Sequence, residues 1–498
     1  MIRSTMATSL LRLTRTSALF VYAVITLGTT ANRSFAAHLR DTVVYPRIID
    51  ARNDGNVKVL HVRSDLIFNL EPASVLGDTI TVMTDNSNRK EVDTDYLKKR
   101  LYQDVENSAS LYLEDTDAGI LTEGVLGNEL RIEPIRDVSA RQDGAIPHRI
   151  FEIDGSADYS GDTVELDSTE LEPQPERLLT ERSSQKMPAA VYVNISVLVD
   201  SFLDKGLKKL NRSVLTYVAV FMNGVNLKYA QFDKPRFLLK LRVIQSLSDT
   251  LEAKQLNISG SMLNFKAVTN ALRTFVARPD FNDSAAVFMM SGRDVASGPD
   301  RKAFGVAFVA QLCTQYKFGV GEDIPGTYFG IAVAAHEILH IVGAVHDGAP
   351  PRTTYQGDPG AKSCPVRKHL MSPFASTKVV NSLSNCTQKQ VRFHLNRRGP
   401  SCWKPLHDQD LAPPMLPGSN FSASMFCSLA NKEKYTDGKL DDDCRINCTT
   451  KKKTSEYFVG LDGMECRSNR TKVCVKGVCM PKNNIPKTPP YGGNVTSA

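Results

Sequence analysis

The chain has 498 residues, with 61 Lys and Arg against 54 Asp and Glu, a formal charge of +7 and 42% hydrophobic residues. This length leaves room for several domains. The composition is too apolar for a disordered chain and too weakly basic for a polyanion binder, so nucleic acid is not an expected partner. Arg3, Arg12 and Arg15 precede the apolar run 18–27 (ALFVYAVITL), and small residues follow around Ser34 and Ala36. That run is too short to span a bilayer and reads as a secretory signal peptide over residues 1–36. No later run is long and apolar enough for a membrane span, so the remainder is expected outside the cell in soluble form.

Residues 37–187 contain no cysteine. Segments 44–70, 78–83 and 124–135 alternate apolar and polar residues as strands do, around a helical stretch at 93–102 (DTDYLKKRLY). The end of this block, 156–181, is acidic and Pro-containing, the pattern of a solvated linker. From 188 to 405 the texture changes. Strand-like runs at 191–200 (VYVNISVLVD), 237–244 and 285–290 alternate with helical patterns at 209–232 and 263–276, which predicts an α/β layer architecture.

The chemistry concentrates at 335–348 (AHEILHIVGAVHDG). A helix running from the apolar stretch 329–335 to about Val342 places His336 and His340 one turn apart on one face, the spacing at which two neutral imidazoles share a Zn²⁺ ion. Glu337 then lies beside the metal, where a carboxylate can accept a proton from water activated by it. Gly343 allows the helix to stop in a left-handed conformation and turn back. His346 can complete a three-His site with one position left open, the pattern of a catalytic zinc. Downstream, 369–373 (HLMSP) carries a methionine in a turn.

These residues, HEILHIVGAVHD followed by HLMSP, resemble the metzincin zinc endopeptidases. The Asp after the third His is similar to the reprolysin (adamalysin, ADAM-type) family, and the layout of the chain is most like its secreted salivary members from ticks. The resemblance implies an α/β (α+β) catalytic domain over 188–405 with a mixed sheet and a zinc helix. Beside it stand a separate β-rich prodomain and a small disulfide-rich C-terminal module. It makes Met371 the floor under the metal and Asp347 a buried structural acid. It also makes 305–313 (GVAFVAQLC) an edge strand on which an extended substrate pairs by main-chain hydrogen bonds. The four cysteines of the catalytic block allow three pairings, and the resemblance selects Cys313–Cys402 and Cys364–Cys386. The motifs VVYPRI and GVLGNELRIEPI resemble reprolysin propeptides, so 37–187 reads as the prodomain of a zymogen, linker included.

Two family features are altered. Many reprolysins silence the zinc with a free prodomain cysteine, but the first cysteine here is Cys313. Latency must then come from another ligand or from the prodomain lying in the cleft, with His148 and the acidic linker as candidates. Arg177 and Arg182 lie in the linker, without a dibasic processing site. The family's calcium positions hold Asn194, Asp283 and Pro405. One carboxylate does not make a Ca²⁺ cage, so that site is expected to be absent or weak.

Residues 406–424 form a Pro-bearing linker, and 483–498 read as a disordered tail. Between them, over 425–482, Cys427, Cys444, Cys448, Cys466, Cys474 and Cys479 allow 15 connectivities in a module that disulfides should frame. LDGMEC and KVCVKGVC resemble the cysteine-rich portion of ADAMTS-like proteases, which implies an exosite for macromolecular substrates. Even cysteine usage and sequons at Asn194, Asn211, Asn257, Asn282, Asn385, Asn420, Asn447, Asn469 and Asn494 agree with a secreted glycoprotein. The Gly292–Arg293–Asp294 tripeptide has no disintegrin-type context. The expectation is a zinc endopeptidase acting on extracellular proteins, with matrix and fibrinogen- or fibrin-like substrates implied by the resemblance. The alternative is a binding protein acting through its cysteine-rich module. Oligomeric state is not encoded in any feature of the sequence.

Overall fold

The computed structural model describes residues 41–484 except 51–57, 64, 86–87, 118, 136–144, 155–156, 160, 165–186, 299–300, 376–381, 407–415, 432–433, 467–470 and 476. The signal peptide, Arg177, Arg182 and the C-terminal tail lie outside the described residues.

The strand Ala190–Val199 is the spine of the catalytic block. It is nearly all apolar, as a strand covered on both faces must be. Arg236–Ser246 runs parallel on one side and Ala286–Ser291 on the other. Phe318–Glu322 continues the sheet in parallel, and Gly305–Phe308 follows antiparallel to it. The buried helix Val214–Tyr229 and the helix Ile331–Val342 share one core with this sheet, and Phe265–Val276 packs into a second. The two helices of the first core approach closely because Gly224 offers no side chain. A Cβ there would lie 2.6 Å from Ile331 Cδ1. Tyr229 Oη also donates to the Ala335 carbonyl at 2.7 Å.

Several expectations are corrected. The helix expected at 209–232 starts later, as Val214–Tyr229, and a separate helix, Ser201–Lys209, precedes it. Asn211 takes a left-handed φ of 53°, which Asn tolerates, and Ser213 caps the new start by accepting from Thr216 N. The helix at 93–102 is a single turn, Asp95–Lys98, before the strand Leu101–Asp104. The edge strand ends at Phe308, well before Cys313.

The N-terminal block is not a separate body. Most of its strands form an antiparallel sheet, nine-stranded among the described residues, but the hairpin Leu76–Thr84 and Asn88–Asp93 leaves it. That hairpin adds parallel to Arg236–Ser246 and so extends the catalytic sheet. Main-chain pairing at an open sheet edge is indifferent to domain boundaries in sequence. Nor does the cysteine-rich module rely on disulfides alone, although Cys427–Cys448, Cys444–Cys474 and Cys466–Cys479 are formed. Phe426, Ile446, Phe458 and Met464 share a core there with Ile49 and Val59 of the N-terminal block. Arg293 is buried between Asp200 (2.9 Å) and Glu252 (2.6 Å), so the Gly-Arg-Asp tripeptide is structural.

Candidate active site

The helix Ile331–Val342 is buried along its length, so its polar groups must find partners inside the protein. His336 Nδ1 lies 2.7 Å from the Leu370 carbonyl and His340 Nδ1 2.7 Å from the Ala344 carbonyl. A carbonyl only accepts, so both Nδ1 atoms donate, and in the neutral form of each ring the Nε2 atom is left as the acceptor. Those two Nε2 atoms are 3.0 Å apart, and His346 Nε2 is 3.1 Å from that of His336. Burial, the largest influence, pushes the His340 imidazole down to about 4, which keeps it neutral.

Gly343 makes this convergence possible. Its φ is +137°, and a Cβ would lie 2.3 Å from the ring of His394. The chain therefore reverses directly after the helix, with Ala344 N donating to Leu339 O at 2.9 Å, and carries His346 back towards the other two imidazoles. Gly343→Ala is expected to cost roughly 3 kcal/mol through backbone strain and overpacking. Urea denaturation together with zinc content would check it, and unchanged values for both would count against this role.

The return segment is held from below. Asp347 is buried, its N–H donates to Met371 O at 2.8 Å, and its Oδ1 accepts from Ser384 Oγ at 2.6 Å. Met371 is fully buried beside Leu370, whose carbonyl orients His336. Disulfides Cys364–Cys386 and Cys313–Cys402 link this half to the helix Asn385–Arg398 and to the loop after the edge strand.

Glu337 is fully buried, and neither carboxyl oxygen has a hydrogen-bond partner. Burial raises its carboxyl well above the usual range, and the Asp162 carboxylate pushes the same way. It lies against Gly305 of the edge strand, where a Cβ would come within 2.6 Å of Glu337 Cγ. Gly305 is thus a site residue that sequence reasoning treated only as part of a strand.

His394, which backs Gly343, is pushed down to about 4 by burial, with Asp358 opposing. An unfolded histidine titrates near 6.5. Above that pH the residue is neutral in both states and stability is unaffected. As pH falls from 6.5 to about 4, the unfolded chain binds the proton first, and stability drops by up to about 3 kcal/mol. Urea midpoints measured at pH 7 and pH 4.5 should show a smaller fall for His394→Phe than for the parent chain. An equal fall would remove His394 from the account.

Two residues not singled out in the sequence complete the site, both in the acidic linker that was a candidate for latency beside His148. Asp162, in the segment expected to be a solvated linker, is fully buried among the three imidazoles, with Oδ2 3.1 Å from His336 Nε2 and 3.2 Å from His346 Nε2. Tyr159, also fully buried, stacks on His336 at 4.2 Å. The edge strand is not a free rail either, because Thr163–Val164 pairs with it in parallel. Gly161 and Val164 beside Asp162 were the only local hint, an apolar residue and a flexible one inside an acidic run. His148 is elsewhere, accepting from Thr122 N at 3.0 Å.

Three imidazole lone pairs and a carboxylate converge here, all acceptors at short range. A metal cation would satisfy them together, and nitrogen and oxygen donors in this number suit Zn²⁺. Asp283 is exposed with Arg242 Nη2 at 4.0 Å, and the Asn194 carbonyl accepts from Ala285 N.

Residues 193–385 match Reprolysin_5, described as Metallo-peptidase family M12. The chain is 25% identical over 381 residues to the venom metalloproteinase antarease TserMP_A of Tityus serrulatus, covering 73% of this chain and 93% of that protein. It is 25% identical to venom metalloproteinase BumaMPs1 of Olivierus martensii, over 72% of this chain and 91% of the relative. A Bombyx mori protein named a disintegrin and metalloproteinase with thrombospondin motifs like is 25% identical over 486 residues, 80% of this chain and 68% of the relative. These relatives are scorpion and insect proteins, and the similarity they carry is to reprolysin-type metalloproteinases. The protein is a metalloendopeptidase, and zinc is the metal its family match implies.

Proposed function

We propose that the protein is a secreted zinc endopeptidase, made as a zymogen, that hydrolyses extracellular proteins. The observation that carries this reading is the convergence of His340 Nε2 and His346 Nε2 on His336 Nε2, at 3.0 and 3.1 Å, beside the buried carboxyl of Glu337. His336, His340 and His346 would hold the metal. When bound, zinc supplies Lewis-acid polarisation of the scissile carbonyl and makes water acidic enough to deprotonate near neutral pH. Glu337 takes that proton on its carboxylate and delivers it to the leaving amine nitrogen. Its burial at the base of the cleft keeps bulk water from competing for the proton. Asp347 and Met371 hold the His346 and His336 segments in place and touch no substrate.

Relatives named as venom proteins support secretion. The N-terminal block, which completes the catalytic sheet and reaches into the cleft, supports a zymogen. Matrix and fibrinogen-like substrates rest on the salivary resemblance, and the cysteine-rich module is assigned to docking them. The test is incubation of the secreted chain, activated by limited proteolysis, with gelatin and fibrinogen in the presence and absence of a zinc chelator. Cleavage abolished by the chelator is expected. Intact substrates in every sample, with matrix still bound, would transfer the function to the cysteine-rich module.

A further inference from the structure

We propose that Asp162 is the fourth zinc ligand of the uncleaved chain, and that the residues around it form a strap that closes the active site until the chain is cut. This rests on the zinc-endopeptidase reading and adds to it a regulatory ligand.

The carboxylate is the first observation. Asp162 is fully buried, and its oxygens face the three imidazoles, Oδ1 lying 3.2 Å from His346 Nε2 and 3.7 Å from His340 Nε2, Oδ2 3.1 Å from His336 Nε2. Among the described residues no side-chain hydroxyl or amide bonds to this carboxylate, and His336 and His340 direct Nδ1 to backbone carbonyls. A buried carboxylate placed against neutral lone pairs is costly unless a cation lies between them. With Asp162 in place the ligand count rises from three to four. A tetrahedral zinc site of four protein ligands has no position left for water or substrate.

The backbone is the second observation, independent of the first. On one wall of the cleft, Ala157 and Asp158 pair antiparallel with Ala375 and Phe374, and Tyr159 N donates to Pro373 O at 2.8 Å. On the opposite wall, Thr163 and Val164 pair with Ala307 and Phe308, and Ala307 N donates to Asp162 O at 2.9 Å. The strap therefore bridges both walls and lays Asp162 between them. Tyr159 fixes its depth by stacking on His336 and packing with Phe151, Ile153, Phe329 and Val333. The edge-strand groups that would pair with a substrate are already used. A cut between Val164 and Met187 would sever the covalent link from the strap to the catalytic block, leaving only these non-covalent contacts to hold Asp162 on the imidazoles.

The test uses the full-length chain with Asp162→Ala and the near-isosteric Asp162→Asn, each also carrying Glu337→Gln so that self-cleavage does not interfere. Zinc release to a colorimetric chelator is timed for each. Loss of a ligand is expected to speed release at least about tenfold in both variants. In chains that keep Glu337, uncleaved Asp162→Asn is expected to turn over a quenched fluorescent peptide on the order of a hundredfold faster than the uncleaved parent. Unchanged release from Asp162→Asn, which preserves the shape of the strap, would overturn the proposal even if Asp162→Ala failed to fold. The two readings fail differently. A proteolysed parent that holds no zinc and cleaves nothing overturns the enzyme and the strap with it. A proteolysed parent that does both, while uncleaved Asp162→Asn stays silent and keeps its zinc, overturns the strap alone.

Discussion

Glu337→Gln in the activated enzyme is expected to lower kcat/KM for a peptide substrate by on the order of 10³-fold while leaving one zinc per chain. The amide keeps the size of the carboxyl and its position against Gly305, so the helix and the three imidazoles should not move. What it loses is the ability to accept a proton. Both Glu337 oxygens lack hydrogen-bond partners, so no structural contact is broken by the exchange. Burial is the main cause that holds the Glu337 carboxyl high, and loss of the Asp162 charge beside it would lower it towards the range in which a base works. Peptide turnover and elemental analysis on the same sample check both halves. Activity within a few-fold of the parent would exclude Glu337 as the base.

His340→Ala is expected to act on the metal itself. Zinc content should fall well below one equivalent, and hydrolysis should drop to background, at least about 10³-fold. His340 is fully buried, with its Nε2 3.0 Å from that of His336. Its removal leaves two imidazoles and a cavity, and the lost packing adds about 2 kcal/mol or more of destabilisation. The thermal midpoint should therefore fall, and excess zinc should not restore it, because the geometry that binds metal depends on this ring. Zinc retained at one equivalent with undiminished activity would remove His340 from the site.

What could be read in advance was what is local. His336, Glu337, His340 and Gly343 are related by helical spacing and by a backbone conformation that only Gly adopts easily, and both properties are properties of short sequence. The alternation that marked Phe237 and its neighbours as a strand is local too. The Asn211–Ser213 break was visible in principle, because Asn and Ser stop helices, but the apolar run that follows outweighed it. The remainder depends on distant partners. That the hairpin at Leu76–Thr84 would join the sheet at Arg236–Ser246 follows from an open edge in the folded protein, and no residue within the hairpin announces it. Asp162 sits in an acidic run whose composition describes solvated chain, and only its placement against His336, some way along the sequence, gives it chemistry. Gly305 reads as one more small residue until Glu337 is packed against it. Ile49 and Val59 likewise read as ordinary strand residues, yet they close the core of the cysteine-rich module.

The most direct test of a three-histidine zinc endopeptidase is a metal titration of the activated protein. The sample is stripped with a chelator, dialysed, and returned to zinc in sub-stoichiometric steps while peptide hydrolysis is followed. The account predicts no hydrolysis without metal, a linear rise, and a break at one zinc per chain. Hydrolysis that persists in the stripped protein, or that does not return at one equivalent, would contradict it.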